Sequence, residues 1–224
     1  MVSGEEGIVT ILLFVWVVFV AEFLTRKLHG YMVRRGIPHN VAVYYNRKVI
    51  HVLTGGVVAL VVPFVFKTPL LPFTMAMFLA FFLYIPHRKG RLMGWFQVEE
   101  NSYEVSFCIM WGVMIALGWI VSGANFWFGV LPAIFMSVGD AVTGMVRNML
   151  YRRRTKSWWG NLAMASFSIP VGAILGAAGM LAGTAASIVE HFEANPIDDN
   201  VTVPLASFII LIIAKFYAPW LLTL

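Results

Sequence analysis

Long apolar runs broken by short charged segments set the pattern of this chain. The runs cover residues 7–24, 46–66, 70–85, 103–121 and 126–149. Each approaches the roughly 17–25 residues that a helix needs to span a bilayer, so each predicts one spanning helix. Residues 161–189 fit either one long helix or a hairpin of two short ones. Within them, Gly172 with Gly176 and Gly179 with Gly183 place small residues four apart, a spacing that favours close helix packing. A last helix is predicted over 204–221. The expected fold is an all-α, polytopic transmembrane helical bundle in a single domain, residues 1–224, with about seven or eight membrane helices.

Polar positions gather between the runs. Arg26, Lys27, Arg34 and Arg35 fall between the first two runs, and Arg47 and Lys48 open the second. His87, Arg88, Lys89 and Arg91 follow the third, and the fifth leads into Arg147, Arg152, Arg153, Arg154 and Lys156. Fourteen of the sixteen Lys and Arg residues lie in these three segments. The positive-inside rule then places all three, and the site they surround, on the cytoplasmic side of a cell or internal membrane. Lys67 falls on the other side, and Lys215 lies inside the last run, from which its long stem can snorkel to an interface. The acids before residue 7 replace the basic region of a cleavable signal, so the first run reads as a retained helix.

Composition agrees with that pattern. The chain is 60% hydrophobic and 12% charged, against roughly 45–50% and 25% in soluble domains. The net charge of +5 reflects topology, and no nucleic-acid partner is expected. A single cysteine, Cys108, offers no disulfide or metal framework and reads as core filling. Nothing in the pattern specifies an oligomeric state.

The candidate chemistry centres on residues 137–163. Asp140 lies near the end of a membrane-length run, and a carboxylate there is expensive enough to be a functional candidate. Asp140, Thr143, Gly144 and Arg147 stand at i, i+3, i+4 and i+7, which is one helix face. That face reads either as a Mg²⁺ ligand or base with a phosphate contact, or as an internal ion pair between helices. Arg47 and His51 share a face, with Lys48 beside them. They form either a headgroup anchor or a cationic cradle for a triphosphate. Lys156 precedes Ser157 and Gly160, which suits a phosphate contact, although no P-loop is present. Trp158 and Trp159 read as interfacial residues. Asp198, Asp199 and Asn200 offer oxygen ligands of the kind Mg²⁺ takes, or a capped acidic turn. Glu190 and Glu193 share a helix face, as do Glu100 and Glu104, with Glu104 the better site candidate of its pair. The late acids reach the side of Asp140 only if residues 161–189 form the hairpin.

These residues resemble the polyprenol kinase family: dolichol kinases, phytol kinases and CTP-dependent diacylglycerol kinases. The resemblance runs from Asn46 to the end of the chain. It rests on Arg47-Lys48-Val49-Ile50-His51, Gly139-Asp140, Lys156-Ser157-Trp158-Trp159-Gly160, and Glu190 followed by Asp199, Asn200 and Pro204. Thr143 stands where the family usually has a small residue, and Trp159 where it usually has Glu. Arg147, Asn148 and Tyr151 occupy the region where it often has a spaced glycine pair.

The resemblance implies Mg²⁺-dependent phosphoryl transfer from a nucleoside triphosphate, usually CTP, to the hydroxyl of a membrane isoprenoid alcohol. It assigns catalysis to Asp140, Lys156 and Glu190, and the metal to Asp140, Asp199 and Asn200. Nucleotide binding falls to Arg47, Lys48, His51, Gly139, Arg147, Ser157 and Gly160. Partners would be membrane lipids, the alcohol and the nucleotide. A cytidylyltransferase making a CDP-lipid is an alternative, separated by its release of pyrophosphate. A transporter or membrane scaffold is a second, and it would not require the acids.

Overall fold

The computed structural model describes residues 3–151, 156–192 and 198–222. Its first five helices are α1 (Gly4–Arg34), α2 (His39–Val65), α3 (Leu70–Lys89), α4 (Tyr103–Ser122) and α5 (Trp127–Tyr151). Then come α6 (Trp158–Gly172), α7 (Gly176–Val189) and α8 (Asp199–Tyr217). No strand forms among the described residues. Among the described residues, seven stretches are long and apolar enough to cross a membrane, with α6 and α7 together making up one of them. The chain is a multi-pass membrane protein built as an all-α bundle.

The stretch Trp158–Val189 is a hairpin. Gly176, at φ +67° and ψ −152°, reverses the chain in a conformation open to glycine. The arms then press together with nothing between their backbones. A Cβ on Gly172 would lie 2.2 Å from the Gly179 carbonyl oxygen, and one on Gly183 would lie 2.5 Å from that of Ser168. Arms of 15 and 14 residues bring Glu190 back to the side from which Lys156 entered.

The first basic segment is not a loop. Helix α1 runs on to Arg34, and α2 starts at His39 rather than near residue 46. Lys and Arg are good helix formers, so charge ends the membrane run without ending the helix. The real break is at Gly36, with φ +81°, and Pro38. The last helix likewise starts earlier than expected, at Asp199, with Pro204 inside it.

Helix α5 is the axis of the bundle. In its most apolar stretch 78% is buried, against 6% in α1, which lies at the edge. Phe128, Leu131, Ile134 and Phe135 are fully enclosed. Gly118 of α4 and Gly129 of α5 meet backbone to backbone: a Cβ on Gly118 would sit 2.1 Å from the Gly129 nitrogen. Ile11, Phe64, Phe81 and Phe216 face outward, as expected for a lipid-facing rim. Lys215 donates to the Val121 carbonyl at 2.5 Å, so its charge meets the end of α4.

Three helices carry a π-helical turn: Phe19–Leu24, His51–Gly56 and Phe135–Gly139. The second and third face each other. Gly55 leaves room for the Phe107 ring and Gly56 for Val138, where added Cβ atoms would come within 2.4 and 2.5 Å. Such turns insert a residue into the helix and often mark functional sites. Here one begins at His51 and the other ends just before Asp140.

Candidate functional site

Asp140 is buried and received by α2. Lys48 Nζ donates to its Oδ2 at 2.6 Å. His51 Nδ1 lies 3.3 Å from the same oxygen, outside hydrogen-bonding geometry, and its ring stacks on Phe107 with centroids 4.0 Å apart. Gly144, one turn beyond Asp140, makes this approach possible. A Cβ there would lie 2.2 Å from Tyr44 Oη and 2.6 Å from Lys48 Cε.

Arg147, two turns on from Asp140, pairs with Glu190 at the hairpin's return. Its Nη1 and Nη2 donate to Glu190 Oε1 and Oε2 at 2.7 and 2.6 Å, the bidentate geometry that makes such pairs strong. Gly160 lies under the guanidinium, where a Cβ would be 2.3 Å from Arg147 Nε. Asn161 Oδ1 accepts a further bond from Arg147 at 2.9 Å. Asn161 also donates to the Ser187 carbonyl, and Ser187 Oγ donates back to the Asn161 carbonyl at 2.7 Å. Lys156 Nζ donates to the Glu190 carbonyl at 2.6 Å and to its Oε1 at 2.9 Å. Burial raises the pKa of Glu190, while the charges of Lys156 and Arg147 pull it down.

Asp199 joins from the first turn of α8, its Oδ2 3.7 Å from Lys156 Nζ. Asp140, Glu190 and Asp199 each offer one carboxylate oxygen, all within 4.8 Å of one another. Lys48, Arg147 and Lys156 pair with these three carboxylates. An all-oxygen donor set of this kind suits Mg²⁺. Asn200 turns its amide to α4, donating to the Tyr103 carbonyl at 3.0 Å. Beside it Asp198 accepts from Ser106 Oγ at 2.5 Å. Burial raises the Asp198 pKa against that hydrogen bond.

The sequence-based candidates fall into groups. Asp140, Lys48, Lys156, Glu190 and Asp199 come together, with His51 at their edge and Arg147 behind Glu190. Gly139 sits at a helix crossing, where a Cβ would lie 3.0 Å from Met164 Cε. Thr143 bonds back to the Gly139 carbonyl. Ser157 Oγ is buried without a hydrogen bond. Trp159 is exposed. Arg152, Arg153, Arg154 and Glu193 lie outside the described residues.

Arg47 points elsewhere than Lys48. Its Nε donates to the Phe96 carbonyl at 2.7 Å and its Nη2 to Asn101 at 3.1 Å. Glu104, 3.5 Å from Arg47, is also met by Gln97 at 2.8 Å and His87 at 2.6 Å. Asn46 donates to the carbonyls of Thr25 and Trp95, both at 2.8 Å. Together these bonds fasten the segment after α3 over the bundle end. This roof is not legible in the sequence, because three of its bonds end on the main-chain carbonyls of Thr25, Trp95 and Phe96.

A cavity of about 810 Å³ opens from the acid cluster. Lys48, Asp140, Lys156, Glu190 and Asp199 line one end. Leu13 and Val17 of α1, Val58 and Val62 of α2, and Leu79 of α3 line the rest, which reaches Phe66. A charged head and an apolar tail thus share one chamber. Its volume is within the usual range for small-molecule sites. The chain is therefore an all-α membrane protein with a buried polar site at the mouth of an apolar chamber. Comparisons with protein-family models, curated proteins and solved structures found no match.

Proposed function

We propose that this protein is a lipid kinase that moves a phosphoryl group from a nucleoside triphosphate to the hydroxyl of a membrane isoprenoid alcohol. CTP is the assigned donor, on the family resemblance. The observation that carries the reading is the junction of three carboxylates and three cations with an apolar chamber. Phosphoryl transfer needs positioned reactants and neutralised charge rather than covalent catalysis. A lipid alcohol needs its tail in an apolar space and its hydroxyl at the charges. The basic end is assigned to the cytoplasm by the positive-inside rule.

Asp140, Glu190 and Asp199 would hold Mg²⁺, which supplies neutralisation of the phosphate oxygens when bound. Lys48 and Lys156 are assigned to the phosphates. Glu190 has both oxygens engaged by Arg147, so Asp140, which lines the chamber, is assigned to orient the hydroxyl and accept its proton. The alcohol oxygen bonds to the terminal phosphorus as the bond to the nucleoside diphosphate breaks. Asn200 ties α8 to α4 and so presents Asp199.

The test is turnover by purified protein in detergent, with Mg²⁺, each labelled nucleoside triphosphate, and a panel of isoprenoid alcohols, diacylglycerol and phosphatidic acid. Phosphorylated alcohol with release of nucleoside diphosphate is expected. A CDP-lipid with pyrophosphate would replace this reading by cytidylyl transfer. No turnover from folded protein would end it.

A further inference from the structure

The chamber has a measurable depth. Along α2, Phe66 follows Lys48 by eighteen residues, about 27 Å at 1.5 Å per residue. Along α1, the lining runs from Glu22 to Thr10, twelve residues or about 18 Å. The far end has a floor. Phe66 is buried there, and the start of α1 is pinned across it: Glu6 Oε1 accepts from the Lys67 main-chain nitrogen at 2.9 Å. Glu6 is itself buried and closes a capping box with Ser3, so this pin is part of the helix start. Higher up, Trp16 Nε1 donates to the Leu53 carbonyl at 2.8 Å, and Phe14 meets Phe78 with ring centroids 6.0 Å apart. Helix α1 therefore touches α2 on one side and α3 on the other, and walls the chamber.

An extended chain advances about 1.2 Å per bond, since three backbone bonds of a polypeptide cover about 3.5 Å. A depth of about 18–27 Å thus takes roughly 15–22 bonds. An isoprene unit adds four main-chain bonds, so the space suits about four to five units.

We infer that the chamber is a ruler for its lipid. It seats one isoprenoid alcohol of about four to five units, hydroxyl at Asp140 and tail end at Phe66, and discriminates against long polyprenols. This rests on the kinase reading for the chemistry at the head, but the ruler itself is a property of the walls. Val58 stands ten residues from Lys48, a little over half of the way down, and Phe66 forms the base. These two side chains set the length.

The experiment is equilibrium binding of tritiated geranylgeraniol to the full-length protein in detergent. Unlabelled geraniol, farnesol, geranylgeraniol, undecaprenol and dolichol compete for the site, and turnover is read in parallel. Geranylgeraniol should bind at least about tenfold tighter than undecaprenol, a margin that apolar pockets reach for differences in chain size. Val58→Phe should move the preference to farnesol or geraniol, and Phe66→Ala should weaken discrimination against longer chains. Val58→Phe alone decides if Phe66→Ala does not fold. Equal binding of all lengths, or a Val58→Phe protein with an unchanged order, overturns the ruler. A length preference without phosphoryl transfer keeps the ruler and removes the kinase. Equal phosphorylation of every length does the reverse.

Discussion

Gly144→Ala separates the site from the fold. The added Cβ would lie 2.2 Å from Tyr44 Oη, 2.6 Å from Lys48 Cε and 3.1 Å from Tyr44 Cζ. The two closest atoms are far ends of side chains that can swing, and the backbone of α5 stays helical because alanine is the best helix former. The fold should therefore hold. What yields is Lys48, whose 2.6 Å bond to Asp140 depends on passing over that glycine. A hydrogen bond to a charged group contributes about 1.5–3 kcal/mol, so losing this one should cut kcat/KM by about 10- to 100-fold, at about 1.4 kcal/mol per factor of ten.

Gly118→Ala is the contrast. There the Cβ would meet the Gly129 backbone nitrogen at 2.1 Å and its Cα at 2.4 Å, and neither can swing. Overpacking costs typically about 1–3 kcal/mol and occasionally more, so this variant should lose thermal stability, or fail to fold. The assay is a detergent melting curve for both variants with turnover alongside. Gly144→Ala with the wild-type kcat/KM, or with a melting loss as large as that of Gly118→Ala, would refute the reasoning.

Three further outcomes are expected. Arg147→Met leaves Glu190 buried without its bidentate partner and should destabilise by about 3–5 kcal/mol; adding Glu190→Leu should restore most of the melting temperature but not turnover, and a double variant no more stable than Arg147→Met would count against the pair. Asp140→Asn should abolish turnover and, by leaving the Lys48 ammonium without its carboxylate, also lower the melting temperature; chelation of divalent cations should abolish wild-type turnover until Mg²⁺ is returned with no such melting loss, and turnover that persists in chelator would remove the metal from the carboxylate trio. Gly176→Ala forces a side chain into φ +67° and ψ −152° and should cost about 1–3 kcal/mol, visible as a lower melting temperature and absent if the hairpin turns elsewhere.

The membrane class and most of the helices were legible because bilayer thickness fixes run length and the apolar runs are long. Helix ends were less legible, since Arg26, Lys27 and Arg34 end hydrophobicity without ending the helix. The polar face of Asp140, Thr143, Gly144 and Arg147 was visible as a spacing, and all four are buried. What spacing did not reveal was partnership. Arg147 meets Glu190, forty-three residues away, and Lys48 meets Asp140, ninety-two away. The adjacent pair Arg47 and Lys48 divides between the roof and the acids because neighbouring helical residues point about 100° apart. Gly144 and Gly160 read from spacing as part of a polar face and of a phosphate contact; in the fold they, like Gly55, stand where another side chain must pass.

The hairpin explains how a chain with so few charges assembles such a dense site. A helix that simply crossed after Lys156 would carry Glu190 to the opposite end of the bundle. The early return at Gly176 instead delivers Lys156, Asn161, Ser187, Glu190 and Asp199 to one end from a single excursion. The two arms are bonded at that end by Asn161 and Ser187, and the same Asn161 holds Arg147. Packing of the small residues and placement of the charges are therefore one structural event. Disturbing the glycine contacts at Gly172, Gly179 or Gly183 should shift Glu190 relative to Asp140 even though none of these glycines touches either acid.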